Sequence, residues 1–352
     1  MKTFKHFTLK TLILGLMVLF AAGVGFSEAN EVFNEIGVNA ITRDPVENGE
    51  VVFGGVYNDT GVKLDLERFW VDARVRMDLF SLNEWETAEI NLINNKTHIN
   101  AGFRPFKSMD FTLGTDYDSI LPGGYMYAYN DVIPNARYGN TGFTYQYTGL
   151  KSLLGLTMAM NIPLQNKMFS NDNVIEMNGA VCYESPIGIN LGTRFYGNWI
   201  DDFSMAAFVS GGANSKITWV AGYTYKGKSV DGLTPADHYI DTSTNFALGF
   251  IDISTDFEIG FKGINNASPM YNGIQVALNI FDSIIPKMTV MYNVSDAKNF
   301  DSSVRTMVLH PRLLLEKDNY RISVGTELLF VETATSDMEV GFSVPIYLKY
   351  WF

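Results

Sequence analysis

Few residues in this chain have the types and spacing that covalent chemistry needs. After the first 29 residues the histidines are His98, His238 and His310, and the whole chain holds a single cysteine, Cys182. Hydrolysis wants a base within hydrogen-bond reach of an acid or a nucleophile. Asp237-His238 and Asp201-Asp202 lie in two polar stretches and together could activate a water. The plainer reading is two solvated acidic loops with an incidental histidine. One cysteine rules out a disulfide framework and a cysteine-rich zinc site. No phosphate-binding loop, dinucleotide fingerprint or metal-binding helix motif is present. No catalytic residue, metal ligand or cofactor is therefore assigned, and the chain is not expected to be an enzyme.

A second group of residues suggests electrostatic work instead. Asp72, Arg74, Arg76 and Asp78 recur at every second position, opposite the apolar Phe69, Val71, Ala73, Val75, Met77 and Leu79. A helix would scatter these charges, whereas a strand puts them on one face. Arg104, Asp110, Asp116, Arg194, Glu258 and Lys262 occupy comparable positions, as do Asp256, Arg321, Glu327 and Lys349. Facing one another across a water-filled lumen, such charges would set a transverse field that orders passing solutes. Wall-to-wall pairing that merely keeps the lumen wet is the bland alternative. Arg74, Arg76 and Arg104 form the sharper cluster, because like charges side by side cost energy unless an anionic or acidic group answers them.

Strands must position these residues. Period-two alternation continues through Ile99–Phe103, Phe111–Tyr117, Ile175–Tyr183, Ile217–Tyr225, Ile274–Ile280 and Tyr320–Phe330. Short turns are expected near 106–108, 148–151, 184–187, 211–216, 251–254, 282–287 and 316–319, with longer polar links between them. Aromatics such as Tyr145, Tyr147, Tyr183, Phe195, Tyr223, Tyr225 and Phe261 gather at strand ends, as interfacial girdles do. The expectation is all-β: a transmembrane antiparallel up-and-down barrel of about 16 strands, with roughly 14 to 18 as the bracket. A soluble β-sandwich also alternates, but the polar face here is rich in Gly, Asn, Thr and Ser, as a wet lumen requires. Pro311 and Pro345 fall inside strands and predict bulges or breaks there.

Composition agrees. The chain of 352 residues is 47% hydrophobic, 14% aromatic and 18% charged, with a net charge of -12. That load of aliphatic and aromatic residues excludes disorder, and the acidic balance argues against nucleic acid as a partner. Lys2, Lys5 and Lys10 precede an apolar run from Leu12 to Phe26, followed by Ser27-Glu28-Ala29. This reads as a signal peptide over residues 1–29, cleaved after Ala29. Its removal takes away three lysines and one glutamate, leaving -14. Residues 30–68 form an N-terminal segment that could be a plug, an arm or an extra hairpin, and 69–352 form the barrel.

The C-terminus carries the strongest motif. Val340, Phe342, Val344, Ile346, Leu348, Tyr350 and Phe352 make an unbroken apolar stripe at period two, ending on an aromatic residue. This resembles the C-terminal signal of bacterial, Gram-negative-type outer-membrane β-barrels of porin-like kind. The Gly- and Asn-rich hairpins such as 97–117 loosely resemble spirochaete outer-membrane proteins. The resemblance covers residues 69–352. It implies a location in the outer membrane, contact with its lipid, and insertion by the barrel assembly machinery acting on Phe342, Val344, Ile346, Leu348, Tyr350 and Phe352. It also implies the option of a homo-oligomer, since large porins of this class are often trimers. Enzymatic barrels fit less well. The omptin surface proteases pair Asp and His at a different spacing, and a barrel phospholipase would want a Ser where Asn100 stands.

The function expected is passive or weakly selective diffusion of small hydrophilic solutes. Net charge suggests mild cation preference. A plugged barrel carrying hydrophobic substrates and a surface adhesin acting through its loops are the alternatives.

Overall fold

A computed structural model describes residues 30–43, 51–52, 55–80, 98–114, 142–163, 177–198, 202–212, 216–225, 238–261, 267–281, 283–334 and 336–351. The strands are β1 Glu31–Arg43, β2 Val51–Val52, β3 Gly55–Asp65, β4 Phe69–Phe80, β5 His98–Phe106, β6 Met109–Gly114 and β7 Gly142–Tyr147. Next come β8 Leu156–Pro163, β9 Met177–Glu184, β10 Ile189–Asn198, β11 Asp202–Gly211, β12 Ile217–Tyr225, β13 His238–Ala247 and β14 Ile251–Phe261. The last are β15 Met270–Leu278, β16 Ile284–Val294, β17 Arg305–Lys317, β18 Tyr320–Gly325, β19 Glu327–Thr333 and β20 Ser336–Trp351. Every pairing is antiparallel, and β1 pairs with both β3 and β20, which closes the sheet on itself.

Among the described residues the wall contains 18 strands rather than about 16, with the two-residue β2 as an extra piece against β1. The additional wall comes from the N-terminal segment. β1 and β3 form a full hairpin whose partners run from Glu31↔Lys63 to Asn39↔Gly55. Its outer row includes Asn34, Asn58 and Thr60, hydrogen-bonded to one another. Those polar side chains blur the apolar alternation that marks the other strands, and the short stretch 66–68 between β3 and β4 has no Pro-Gly or Asn-Gly signature.

Two expected turns also move. The connection between β13 and β14 falls at 248–250, where Gly249 takes φ 88°, not at 251–254. The polar Asp252 and Ser254 belong to the inner face of β14. β15 and β16 connect at 279–283, not 282–287, and Pro286 and Lys287 lie within β16. Prolines leave their mark where expected. β18 and β19 share one register on β17 and on β20, so they are one strand interrupted at Thr326. Pro311 lies opposite the interruption on one side and Pro345 lies opposite Asn39, close to the register shift between Asn39 and Thr42 on the other. Proline supplies no N–H to the ladder.

The two faces differ sharply. Outside, large apolar residues stand exposed along the whole wall, including Leu191, Trp219, Ile240, Ile274, Met288, Leu313, Val324 and Leu348. Inside, the lumen is unevenly filled. On β8–β13 the inner positions Ala159, Ala180, Ala206, Phe208, Thr224 and Tyr239 are buried. On the opposite side the inner face borders an open cavity.

Aromatic rings lie on glycines across neighbouring strands. Tyr57 opposes Gly37, Phe33 opposes Gly61, Trp70 opposes Gly102, Phe195 opposes Gly179, and Phe208 opposes Gly192. At each of these glycines a Cβ would fall 2.0–2.2 Å from the ring. Glycine is needed there because the ring occupies the space a side chain would take, and the ring in turn covers the bare backbone.

Candidate functional site

The site is the lumen, and strand register brings its charges together. β1, β3, β4 and β14–β20 border a cavity of about 840 Å³. The basic residues on it are Arg74, Lys287, Arg312, Arg321 and Lys349, with His310; the acidic ones are Glu35, Asp252, Glu316 and Glu327.

The first group sits on β3–β6. Arg74 pairs with Asp59, a fully buried carboxylate on the neighbouring strand. Arg104 reaches Asp65 at 2.8 Å and Asp110 at 3.0 Å, and the Trp70 indole N–H donates to Asp110 at 3.0 Å. Two arginines of the expected cluster, Arg74 and Arg104, thus meet carboxylates. Arg104 and Asp110 meet each other, while Asp59 and Asp65 lie on β3, whose inward face the sequence reading left unphased. Asp72 is half-buried and lies opposite Lys63.

The second group sits on β16–β20 and β1. Arg321 pairs with Glu316, and Lys349 stands 3.6 Å from Glu31. Lys349 also lies over the Phe33 ring at 4.1 Å and the Trp351 ring at 5.0 Å. Arg74 lies on the other side of this row, 5.8 Å from the Phe33 centroid, and Arg321 lies 5.6 Å from Trp351. Cations and rings therefore alternate across the seam where the first and last strands meet, each contact adding a modest cation–π attraction. Lys287 and Arg312 are direct cross-strand partners. Arg312 donates to the neutral Gln275, and among the described residues neither cation has a carboxylate within ion-pair distance. His310 follows on the same face, 3.8 Å from Glu327.

Sequence reading named Arg321, Glu327 and Lys349 but missed Lys287, Arg312 and His310. A turn set at 282–287 hid Lys287, and Pro311 interrupted the phase of β17. The signal that could have found them was the unbroken apolar row Met307, Leu309, Pro311, Leu313 and Leu315 flanking them.

Other expected residues are placed as follows. Glu258 faces inward opposite Asp241. Arg76 and Asp78 are on β4 and Arg194 is on β10, but their side chains lie outside the description. Asp116, Lys262, Phe352 and the segment 1–29 lie outside the described residues. Phe342, Val344, Ile346, Leu348 and Tyr350 form the outer row of β20. Cys182 is half-buried on the inner face beside Gly192. His238 points outward, its Nδ1 2.6 Å from the Tyr223 hydroxyl. Among the described residues no group of three His, Cys, Asp or Glu is placed to hold a metal ion.

Such a site can attract, orient and release charged or polar solutes. Its fold is that of bacterial outer-membrane porins. OccK5 (OpdH) of Pseudomonas aeruginosa superposes with a TM-score of 0.60 at 8% identity, covering 94% of this chain and all of that one. OpdK of the same organism gives 0.60 at 10% identity, covering 93% of this chain and 100% of that one. The outer-membrane channel DcaP of Acinetobacter baumannii gives 0.50 at 11% identity, covering 94% and 100%. At such identities the likeness establishes the fold. No family model matches the sequence, and no curated protein does. The loose spirochaete likeness finds no support among these structures.

Proposed function

We propose that this chain is an outer-membrane channel for the passive or weakly selective diffusion of small hydrophilic solutes. The observation that carries the reading is the charged, open cavity bordered by β1, β3, β4 and β14–β20. The outer face supports it. Burying a large apolar side chain is worth about 1.5–3 kcal/mol, and net stability is only about 5–15 kcal/mol. A belt of exposed Leu, Ile, Trp and Met around the whole wall is therefore tenable only where lipid covers it. Among the described residues no helix is long and apolar enough to cross a membrane, so the crossing elements are strands. The similarity to a channel named as such, DcaP, agrees with this reading.

Export by residues 1–29 and insertion through β20 complete the proposal. A plug formed by residues 30–66 is not part of it, because β1 and β3 are wall strands.

Selectivity follows the lumen rather than the net charge. The loops carry many of the acids, and their field is screened beyond about 8 Å at physiological salt. The described cavity is lined by more cations than carboxylates, and Lys287 and Arg312 face it without an ion-pair partner among the described residues. Anions are therefore the favoured ions. Conductance of the refolded protein in a planar bilayer tests both points. Steady steps with a reversal potential favouring anions are expected. A folded barrel that gives no steps would overturn the open-channel reading, and a cation-favouring potential would overturn the selectivity.

A further inference from the structure

The end of the barrel where the short turns lie is unusual in what it exposes. Leu66 is 55% exposed, Phe106 66%, Leu153 80%, Ile187 81%, Phe250 65% and Phe281 58%. Phe106 is the last residue of β5, at the edge of the β5–β6 turn, and the others lie in the short connections joining β3–β4, β7–β8, β9–β10, β13–β14 and β15–β16. Turns ordinarily take Gly, Pro, Asn, Asp and Ser. Here several tips carry side chains for which water is a poor solvent.

Two observations decide what covers them. The first is distribution. The tips are spread around the rim instead of forming one patch, whereas a protein partner would need a single contiguous face. The second is height. On the outer face of the other end, Tyr223 and Tyr225 gather with His238, ring centroids 6.0 and 5.3 Å from the imidazole. Aromatic rings of this kind are what a barrel sets at a membrane interface, and Tyr223 pairs with Ile240. From Ile240 along β13 to Leu248, where the turn begins, is eight residues, which at about 3.4 Å each and a tilt of about 40° spans about 21 Å along the barrel axis, with the turn itself beyond. The apolar band of a membrane barrel is about 25 Å tall. The band that starts at the tyrosines therefore ends at the turn tips. Leu66, Leu248 and Ile280 continue the outward parity of β3, β13 and β15 behind Leu64, Phe246 and Leu278, so the last outward positions before each of these turns are apolar.

We propose that the short-turn tips are seated in the interfacial layer of the lipid leaflet at that end, so that the membrane surface covers the rim. The barrel then ends at its membrane boundary, with no wetted collar beneath it. This rests on the reading of the chain as a membrane barrel, and the experiment separates the two.

In a Cys182→Ala background, single cysteines are introduced at Ile187 and Phe250, and, as a control in the middle of the belt, at Leu313, which is 50% exposed on the outer face. Each refolded barrel is labelled with an environment-sensitive fluorophore and placed in phosphatidylcholine vesicles. Strand circular dichroism confirms folding. Quenching is measured with aqueous iodide and with lipids spin-labelled near the headgroup or deep in the chain. The expected result is that both tip positions lose most iodide quenching and are quenched by the headgroup label, while Leu313 responds to the deep label. Tips quenched by iodide like free dye, with Leu313 still lipid-quenched, would overturn the seating and leave the membrane reading intact. A Leu313 probe that no lipid label reaches would overturn both.

Discussion

Lys287 and Arg312 show how much a single register decides. Paired directly across β16 and β17, they put two cations next to each other on the lumen wall. In water, a charge acts on a passing ion with about 0.5–1 kcal/mol at 4–8 Å. Replacing both as Lys287→Gln with Arg312→Gln should shift the anion-to-cation permeability ratio roughly two- to fivefold toward cations, read as a change in reversal potential under a salt gradient. Arg74 makes the opposite case, a cation whose task is structural. Its partner Asp59 is fully buried. Breaking a buried ion pair typically costs about 3–5 kcal/mol, and Arg74 itself is partly exposed to the lumen, so Arg74→Leu should cost less, about 2–3 kcal/mol. Urea unfolding in vesicles would measure it, with the channel's selectivity changing less than in the Lys287/Arg312 variant. The alternation of charges in β4 made Arg74 legible in the sequence. Its partner was not, because Asp59 sits in a strand whose outer face mixes Asn58 and Thr60 among apolar residues.

At the scale of elements, the wall is held by more than its ladder. The rings of Phe33, Phe208 and Tyr57 each lie on a glycine of the next strand. Gly61→Val would push Phe33 off its seat and with it the contacts to Arg74 and Lys349. Overpacking of this kind costs about 1–3 kcal/mol, and a lowered unfolding midpoint is the expected readout; Gly188→Ala, with no atom within 4 Å of its Cβ position, isolates the separate cost of a positive φ. The connection between β16 and β17 is tied down differently. Asp296 accepts from the Ser268 backbone N–H at 2.9 Å, the Asn299 amide at 2.7 Å and the Lys298 backbone N–H at 3.1 Å. Those donors, Ser268 first, hold its carboxyl below the usual carboxylate range. A carboxylate so depressed contributes stability that is present above the unfolded value of about 4 and is lost as pH falls through the lower folded value. The loop should therefore be unaffected between neutral and mildly acidic pH and should loosen only in stronger acid. Asp296→Asn should reproduce that loosening at neutral pH, seen as faster hydrogen exchange at Ser268 and Lys298.

For the whole molecule, closure depends on the two ends of the chain. β20 pairs with β1 through Phe33↔Trp351 to Arg43↔Phe342. Deleting the β1–β3 hairpin removes the partner of β20, and the remaining sheet has no matched edges to join. Such a chain should fail to acquire heat-resistant, protease-protected structure in vesicles. Removing Phe352 alone is a different test. If the outer row of β20 is the assembly signal, the truncated protein should refold in detergent as the full chain does, yet accumulate unfolded in cells.

The sequence alone determined the class of architecture, because period two is a local property: Asp72 and Arg74 must share a face if residues 69–80 are extended, whatever the rest of the chain does. It also determined the outer row of β20, an unbroken run of apolar residues at alternate positions. Only the tertiary structure decided how many strands close the wall, since β1 is a wall strand by virtue of a partner more than 300 residues away. The same holds for the site. A residue's parity says that it faces inward, but the pairing register says whom it meets there. That is why Arg74 is answered by Asp59, Arg104 by Asp65 and Asp110, and Lys287 stands beside Arg312.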